Sequence, residues 1–84
     1  MKTITIGRYP TCDIILEDHD ISRVHAEISR YGDKFMYKDT SKNGSMVNEK
    51  LCKCESVIVE AGTEILLSGR VKLPWIQVYM LLPK

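Results

Sequence analysis

The chain has 84 residues, 44% hydrophobic and 27% charged, with twelve basic and eleven acidic side chains and a net charge of +1. That length makes one small domain over residues 1–84, with a modest core and little room for a second site, and the composition is that of an ordered globular chain rather than a disordered one. So small a charge gives no broad field for nucleic acid, no apolar run can span a bilayer and no charged-then-apolar leader opens the chain; nucleic-acid and membrane partners are not expected, and a cytoplasmic setting is.

Thr3-Ile4-Thr5-Ile6 alternates apolar and polar residues and halts at Gly7, the pattern of a half-buried strand. Asp13-Ile14-Ile15-Leu16 reads as a short second strand. Ala26, Ile28 and Arg30 alternate with Glu27 and Ser29, and Tyr31-Gly32-Asp33-Lys34 reads as a tight turn. Ala26–Arg30 and Lys34–Lys38 therefore form an antiparallel hairpin, with Phe35 and Tyr37 on one face. Asn43-Gly44, Asn48-Glu49-Lys50 and Ala61-Gly62 supply further turns, since Asn and Gly tolerate positive φ. Between and beyond them lie strands at Val57-Ile58-Val59 and Glu64-Ile65-Leu66-Leu67. A closing strand is expected from Trp75 to Leu82, with Ile76, Val78 and Met80 on one face and Gln77 and Tyr79 on the other, bracketed by Pro74 and Pro83. No helical stripe is expected. Short alternating segments spaced in this way predict an all-β fold, an antiparallel β-sandwich of about ten short strands.

The three cysteines are an odd number, and Cys52-Lys53-Cys54 is neither a redox pair nor half of a recognisable zinc site. Free thiols are expected. A rigid sandwich gathers loops at one end, so residues distant in sequence can converge on one ligand. Arg8 and Arg23 supply guanidinium forks, Lys42 a point charge, Ser22 a hydroxyl, and the Asn43-Gly44 turn amide donors. A donor set of that kind calls for a multiply charged oxyanion, and a phosphothreonine, with roughly −1.5 to −2 charges and three acceptor oxygens, matches it. Read singly, each of these residues could equally be a solvated surface side chain, and turn geometry alone accounts for Gly7, Asn43-Gly44 and Asn48. Ser22, His25 and Asp39 include the residue types of a hydrolytic triad, but no nucleophile elbow surrounds the serine. Asp18-His19-Asp20 holds metal-ligating types in a single short loop with no second cluster. Neither an enzyme nor a bound metal or cofactor is expected.

Gly7-Arg8, then Ser22-Arg23-Val24-His25, then Asp39-Thr40-Ser41-Lys42-Asn43-Gly44-Ser45-Met46-Val47-Asn48, stand in an order and spacing that resembles the forkhead-associated (FHA) domain, a phosphopeptide-binding module. The resemblance implies that Arg8 and Ser22 bind phosphate, joined by Arg23, that Lys42 lines the phosphate pocket, and that Asn43 holds the peptide backbone. It makes His25 and Asn48 structural, with Gly7 and Gly44 completing the blocks. The implied partner is a protein carrying phosphothreonine written by a Ser/Thr kinase. Preference over phosphoserine would follow from a small apolar pocket for the extra methyl, worth about 0.8 kcal/mol. Peptide side chains beyond the phosphothreonine would meet Asp18, His19 and Asp20, whose carboxylates should disfavour acidic peptides. Only six residues precede Gly7, so the family's first strand is missing or shortened. That leaves an exposed sheet edge, to be covered by the C-terminal segment or paired in a weak dimer. Ser45 stands where the family commonly has Thr, which keeps the hydroxyl. The alternative function is a phospho-independent interaction module that uses a sheet face or the open edge.

Overall fold

In the computed structural model, which describes residues 2–84, the alternations in the sequence become two facing sheets. Ile4 and Ile6 point inward from β1 (Thr3–Gly7), Ile28 from β3 (Ala26–Tyr31), and Phe35 and Tyr37 from β4 (Lys34–Asp39), all of them buried. With β2 (Ile14–Ile15) and β7 (Ser56–Glu60) they make a five-stranded sheet in the order β2-β1-β3-β4-β7. The β3–β4 hairpin runs in register from Ala26 opposite Asp39 to Tyr31 opposite Lys34. Gly32 turns it at φ +64, open to solvent. One pairing is parallel: Ile6 and Gly7 of β1 lie beside Ile14 and Ile15 of β2.

The second sheet has the order β6-β5-β8-β9, built from β5 (Ser45–Val47), β6 (Lys50–Cys52), β8 (Ile65–Leu67) and β9 (Val71–Lys72). Asn48 and Glu49 close the β5–β6 hairpin with φ of 47 and 67, which suits a tight two-residue turn. Val47, Ile65 and Leu67 from this sheet join Ile4, Ile6, Ile28, Phe35 and Tyr37 from the other in one apolar core.

The expected closing strand is instead a helix, α1 (Trp75–Leu81), so among the described residues the fold has nine strands, close to the ten expected, and one helix. Packing decides this. A strand would have buried Ile76, Val78 and Met80 together; the helix buries Val78 and, just after it, Leu82, one turn apart, and leaves Ile76 and Met80 75% and 76% exposed. Trp75 meets Phe35 edge-on at 5.1 Å and stacks on Tyr79 at 5.6 Å, while its indole N–H donates to the Thr63 carbonyl at 2.7 Å. No side chain caps its N-terminus, so tertiary contacts outweigh weak local propensity. At the other end Arg30 donates to the Leu82 carbonyl at 2.9 Å. The C-terminal segment thus closes the core as a helix rather than by adding a strand to an edge, and β9, two residues long, remains an edge of its sheet.

Candidate functional site

The site begins with a glycine that nothing larger can replace. A Cβ on Gly7 would lie 2.1 Å from the Arg23 carbonyl oxygen and 2.9 Å from the Val24 Cα. That close approach lets β1 run straight into hydrogen bonds with the next loop: the Arg8 N–H donates to the Ser22 carbonyl at 3.0 Å and the Tyr9 N–H to the Arg23 carbonyl at 3.1 Å. The Arg8 side chain adds a bond from Nε to the Ile21 carbonyl at 3.1 Å. Arg23 lies over the Tyr9 ring, 5.4 Å from its centroid, a cation–π arrangement that restrains a long side chain.

His25 locks this loop to the third sequence block. Its ring is fully buried, and the Ser22 N–H donates to Nδ1 at 3.0 Å. The ring proton therefore sits on Nε2, which donates to the Gly44 carbonyl at 2.8 Å. Burial lowers the His25 pKa from its ordinary 6.5, against the raising effects of the Gly44 carbonyl and the Asp39 carboxylate.

Beneath it lies a buried polar cluster that the sequence reading did not find. Oδ1 of Asp39 accepts from the Ser41 N–H at 2.9 Å, the Ser41 hydroxyl at 2.8 Å and the Cys54 N–H at 3.2 Å. Its Oδ2 accepts the Ser45 hydroxyl at 2.6 Å, and Ser45 in turn accepts from the Tyr37 hydroxyl at 2.7 Å. Ser41 Oγ accepts the Gly44 N–H at 2.7 Å. The Ser41–Gly44 turn is thereby fixed from below, with Lys42 and Asn43 exposed on top. Burial raises the Tyr37 and Cys52 pKa values. Asp-x-Ser is the only local signal for this cluster, since an Asp carboxylate often accepts from the backbone two residues on.

On that base, the five predicted ligand-binding residues Arg8, Ser22, Arg23, Lys42 and Asn43 all line one open recess of about 760 Å³. Ser22 Oγ accepts the Lys42 N–H at 3.0 Å, which leaves its own hydroxyl proton free to donate. Asn43 Nδ2 donates to the Asp20 carbonyl at 3.0 Å, bridging two loops. Of the four residues given structural roles, Gly7, His25 and Gly44 hold the loops, and Asn48 sits in the β5–β6 turn, its N–H donating to the Glu64 carbonyl at 3.0 Å. The triad types do not form a relay: His25 bonds the Ser22 backbone rather than its hydroxyl, and Asp39 Oδ2 lies 3.7 Å from Nε2. Among the described residues, no three His, Cys, Asp or Glu side chains come together as metal ligands. Cys12, Cys52 and Cys54 are free thiols. The carboxylates of Asp18 and Asp20 both bond Arg70, so they do not face a ligand as two unpaired charges.

A sandwich that gathers these blocks at one end is the architecture of a loop-based recognition domain. The chain belongs to the FHA domain family, whose model matches residues 4–68. It is 38% identical over 73 residues to the oxoglutarate dehydrogenase inhibitor of Corynebacterium jeikeium, covering 86% of this chain and 49% of that protein. It is 36% identical over 72 residues to the glycogen accumulation regulator GarA of Mycolicibacterium smegmatis, covering 84% of this chain and 44% of that protein. The chain thus spans about half the length of these relatives. Among solved structures, the FHA domain of CT664 from Chlamydia trachomatis is 32% identical with a TM-score of 0.71, over 79% of this chain and 67% of that one. The N-terminal FHA domain of Rad53p from S. cerevisiae, solved with a phosphothreonine peptide, is 31% identical with a TM-score of 0.68, over 76% of this chain and 54% of that one. Helix α1 lies outside the residues matched by the family model.

Proposed function

We propose that this chain is a phosphothreonine-dependent protein-binding module, one domain over residues 1–84, acting as a non-catalytic adaptor in cytoplasmic signalling downstream of a Ser/Thr kinase. The observation that carries the reading is the convergence of Arg8, Ser22, Arg23, Lys42 and Asn43, from three separate loops, on one recess. Arg8 and Arg23 would pair with the phosphate oxygens, Ser22 would donate its free hydroxyl proton, and Lys42 would add charge at the rim. Asn43, already fixed to the Asp20 carbonyl, would hold the peptide backbone through its remaining groups. Two or three charge-assisted bonds contribute about 1.5–3 kcal/mol each, and the cost of ordering a flexible peptide opposes them. A micromolar dissociation constant, about −8 kcal/mol, is the balance expected. The phosphothreonine peptide bound by the Rad53p domain supports the choice of ligand, and the names of the inhibitor and regulator relatives support a regulatory role.

The test is fluorescence anisotropy with degenerate phosphothreonine, phosphoserine and unphosphorylated peptide pools on wild type and Arg8→Ala. Micromolar phosphothreonine binding that vanishes in the variant is the expected result. A folded wild type that ignores all three pools would refute the reading and favour a phospho-independent contact through a sheet face or edge.

A further inference from the structure

We propose that Arg70 is a positioning residue of this site: from the β8–β9 turn it ties down the loop that carries Ser22 and Arg23. The proposal rests on the phosphothreonine reading above. Nη2 of Arg70 donates to Asp18 Oδ2 at 3.1 Å, and Nη1 bonds Asp20 Oδ2. One planar guanidinium thus bridges two carboxylates, a geometry that lysine cannot reproduce.

The same turn reaches both ligand loops through its backbone and hydroxyl. Ser68 Oγ donates to the Asp20 carbonyl, the atom that also accepts Asn43 Nδ2. The Ser68 N–H donates to the Gly44 carbonyl at 2.9 Å, the atom that also accepts His25 Nε2. The two carbonyls at which the ligand loops meet are therefore both held by Ser68, two residues before Arg70. Ser68 and Gly69 adopt φ of 56 and 69, a tight turn that aims the Arg70 side chain back at the loop.

The loop needs such a tie at residues 17–21, whose backbone bonds stay within the loop itself (Asp18 N–H to Leu16, Ile21 N–H to Asp18), whereas Ser22 and Arg23 already accept from Arg8 and Tyr9. Segments without ladder pairing open locally at low cost, so even a solvent-exposed charge network can set how often this one opens. An ion-pair tie must also weaken in salt, since the screening length falls to about 3 Å at 1 M. Packing alone would not.

Arg70→Gln keeps the aliphatic stem and removes the charge. In the free protein, amide hydrogen exchange at Asp20 and Ile21 should rise several-fold in this variant while Ile28 in β3 stays unchanged. Adding 1 M salt should bring wild type toward the variant, and Arg70→Lys should fall between them. Phosphothreonine peptide should dissociate about three- to tenfold faster from Arg70→Gln, and adding Asp20→Asn should make little further difference. Unchanged exchange, salt-independent exchange, or unchanged dissociation from a binding-competent Arg70→Gln would overturn the role of Arg70 alone. A wild type that binds no phosphopeptide would overturn it together with the functional reading, recognisable because wild type and variant then fail alike.

Discussion

Acidification should weaken this fold through His25. The neutral ring uses both nitrogens, Nδ1 accepting from the Ser22 N–H and Nε2 donating to the Gly44 carbonyl. A second proton would have to go on Nδ1, directly against the Ser22 N–H. Burial, the largest influence on this group, also disfavours the charged form, so the folded pKa lies below 6.5. The unfolded chain then binds more protons than the folded one below that pH. Stability is complete above 6.5 and falls as pH drops toward the lower folded value. One pH unit on a single group is worth about 1.4 kcal/mol, so about 1.4 kcal/mol is the ceiling on the loss between pH 7.5 and 5.5, reached when the folded ring stays neutral throughout. In a chain of this size that ceiling is a Tm drop of about 6–11 °C. Urea denaturation at pH 7.5, 6.5 and 5.5 at fixed ionic strength measures the loss, with His25→Gln as the control whose slope should vanish. A wild type whose stability changes by less than about 0.4 kcal/mol between pH 7.5 and 5.5 would refute the argument.

Gly7→Ala should cost about 1–3 kcal/mol by overpacking and abolish phosphopeptide binding, because the new Cβ must displace the Arg23 carbonyl; calorimetric titration and denaturation on one sample check both. Asp39→Asn replaces an acceptor-only carboxylate with an amide whose NH₂ faces hydroxyl donors, and losing one or two charge-assisted bonds at about 1.5–3 kcal/mol each should lower stability by about 1.5–6 kcal/mol, read in urea. Trp75→Ala should cost about 2–3 kcal/mol, below the range for fully buried Trp, because its ring is only partly buried. Ile76→Ser should stay within about 0.5 kcal/mol. The reverse order of those two substitutions would mean that the C-terminal segment is not the helix described.

Much of this architecture is legible in the sequence where local chemistry decides. The β3–β4 hairpin follows from alternation around Tyr31-Gly32-Asp33-Lys34, and the observed strands extend the expected ones by only one residue each, to Tyr31 and Asp39. The Asn48-Glu49 turn is marked by Asn48 alone, since Asn accepts positive φ whereas Glu49, at φ 67, has no such preference. The C-terminal segment was illegible because eight mostly apolar residues satisfy a period of 2 and of 3.6 equally well; only the position of Phe35, forty residues away in sequence, makes Trp75, Val78 and Leu82 the inward set. Long range also hides the ties of the site. The five donor residues are marked by their blocks, yet Asp39 reads as one more motif residue, and Arg70 lies 50 residues from the Asp20 that it holds. Once that bond is seen, the two carboxylates expected to repel acidic peptides are found to share one cation, which leaves them a net charge of −1.

The most direct measurement is a ¹H–¹⁵N NMR titration of the whole chain with a phosphothreonine peptide and its unphosphorylated twin. Large saturable shifts confined to Arg8, Ser22, Arg23, Lys42, Asn43 and their loop neighbours, absent with the twin, are the result expected of a reader that works through this recess. Equal shifts with both peptides, or shifts centred on β7, β9 or α1, would contradict it.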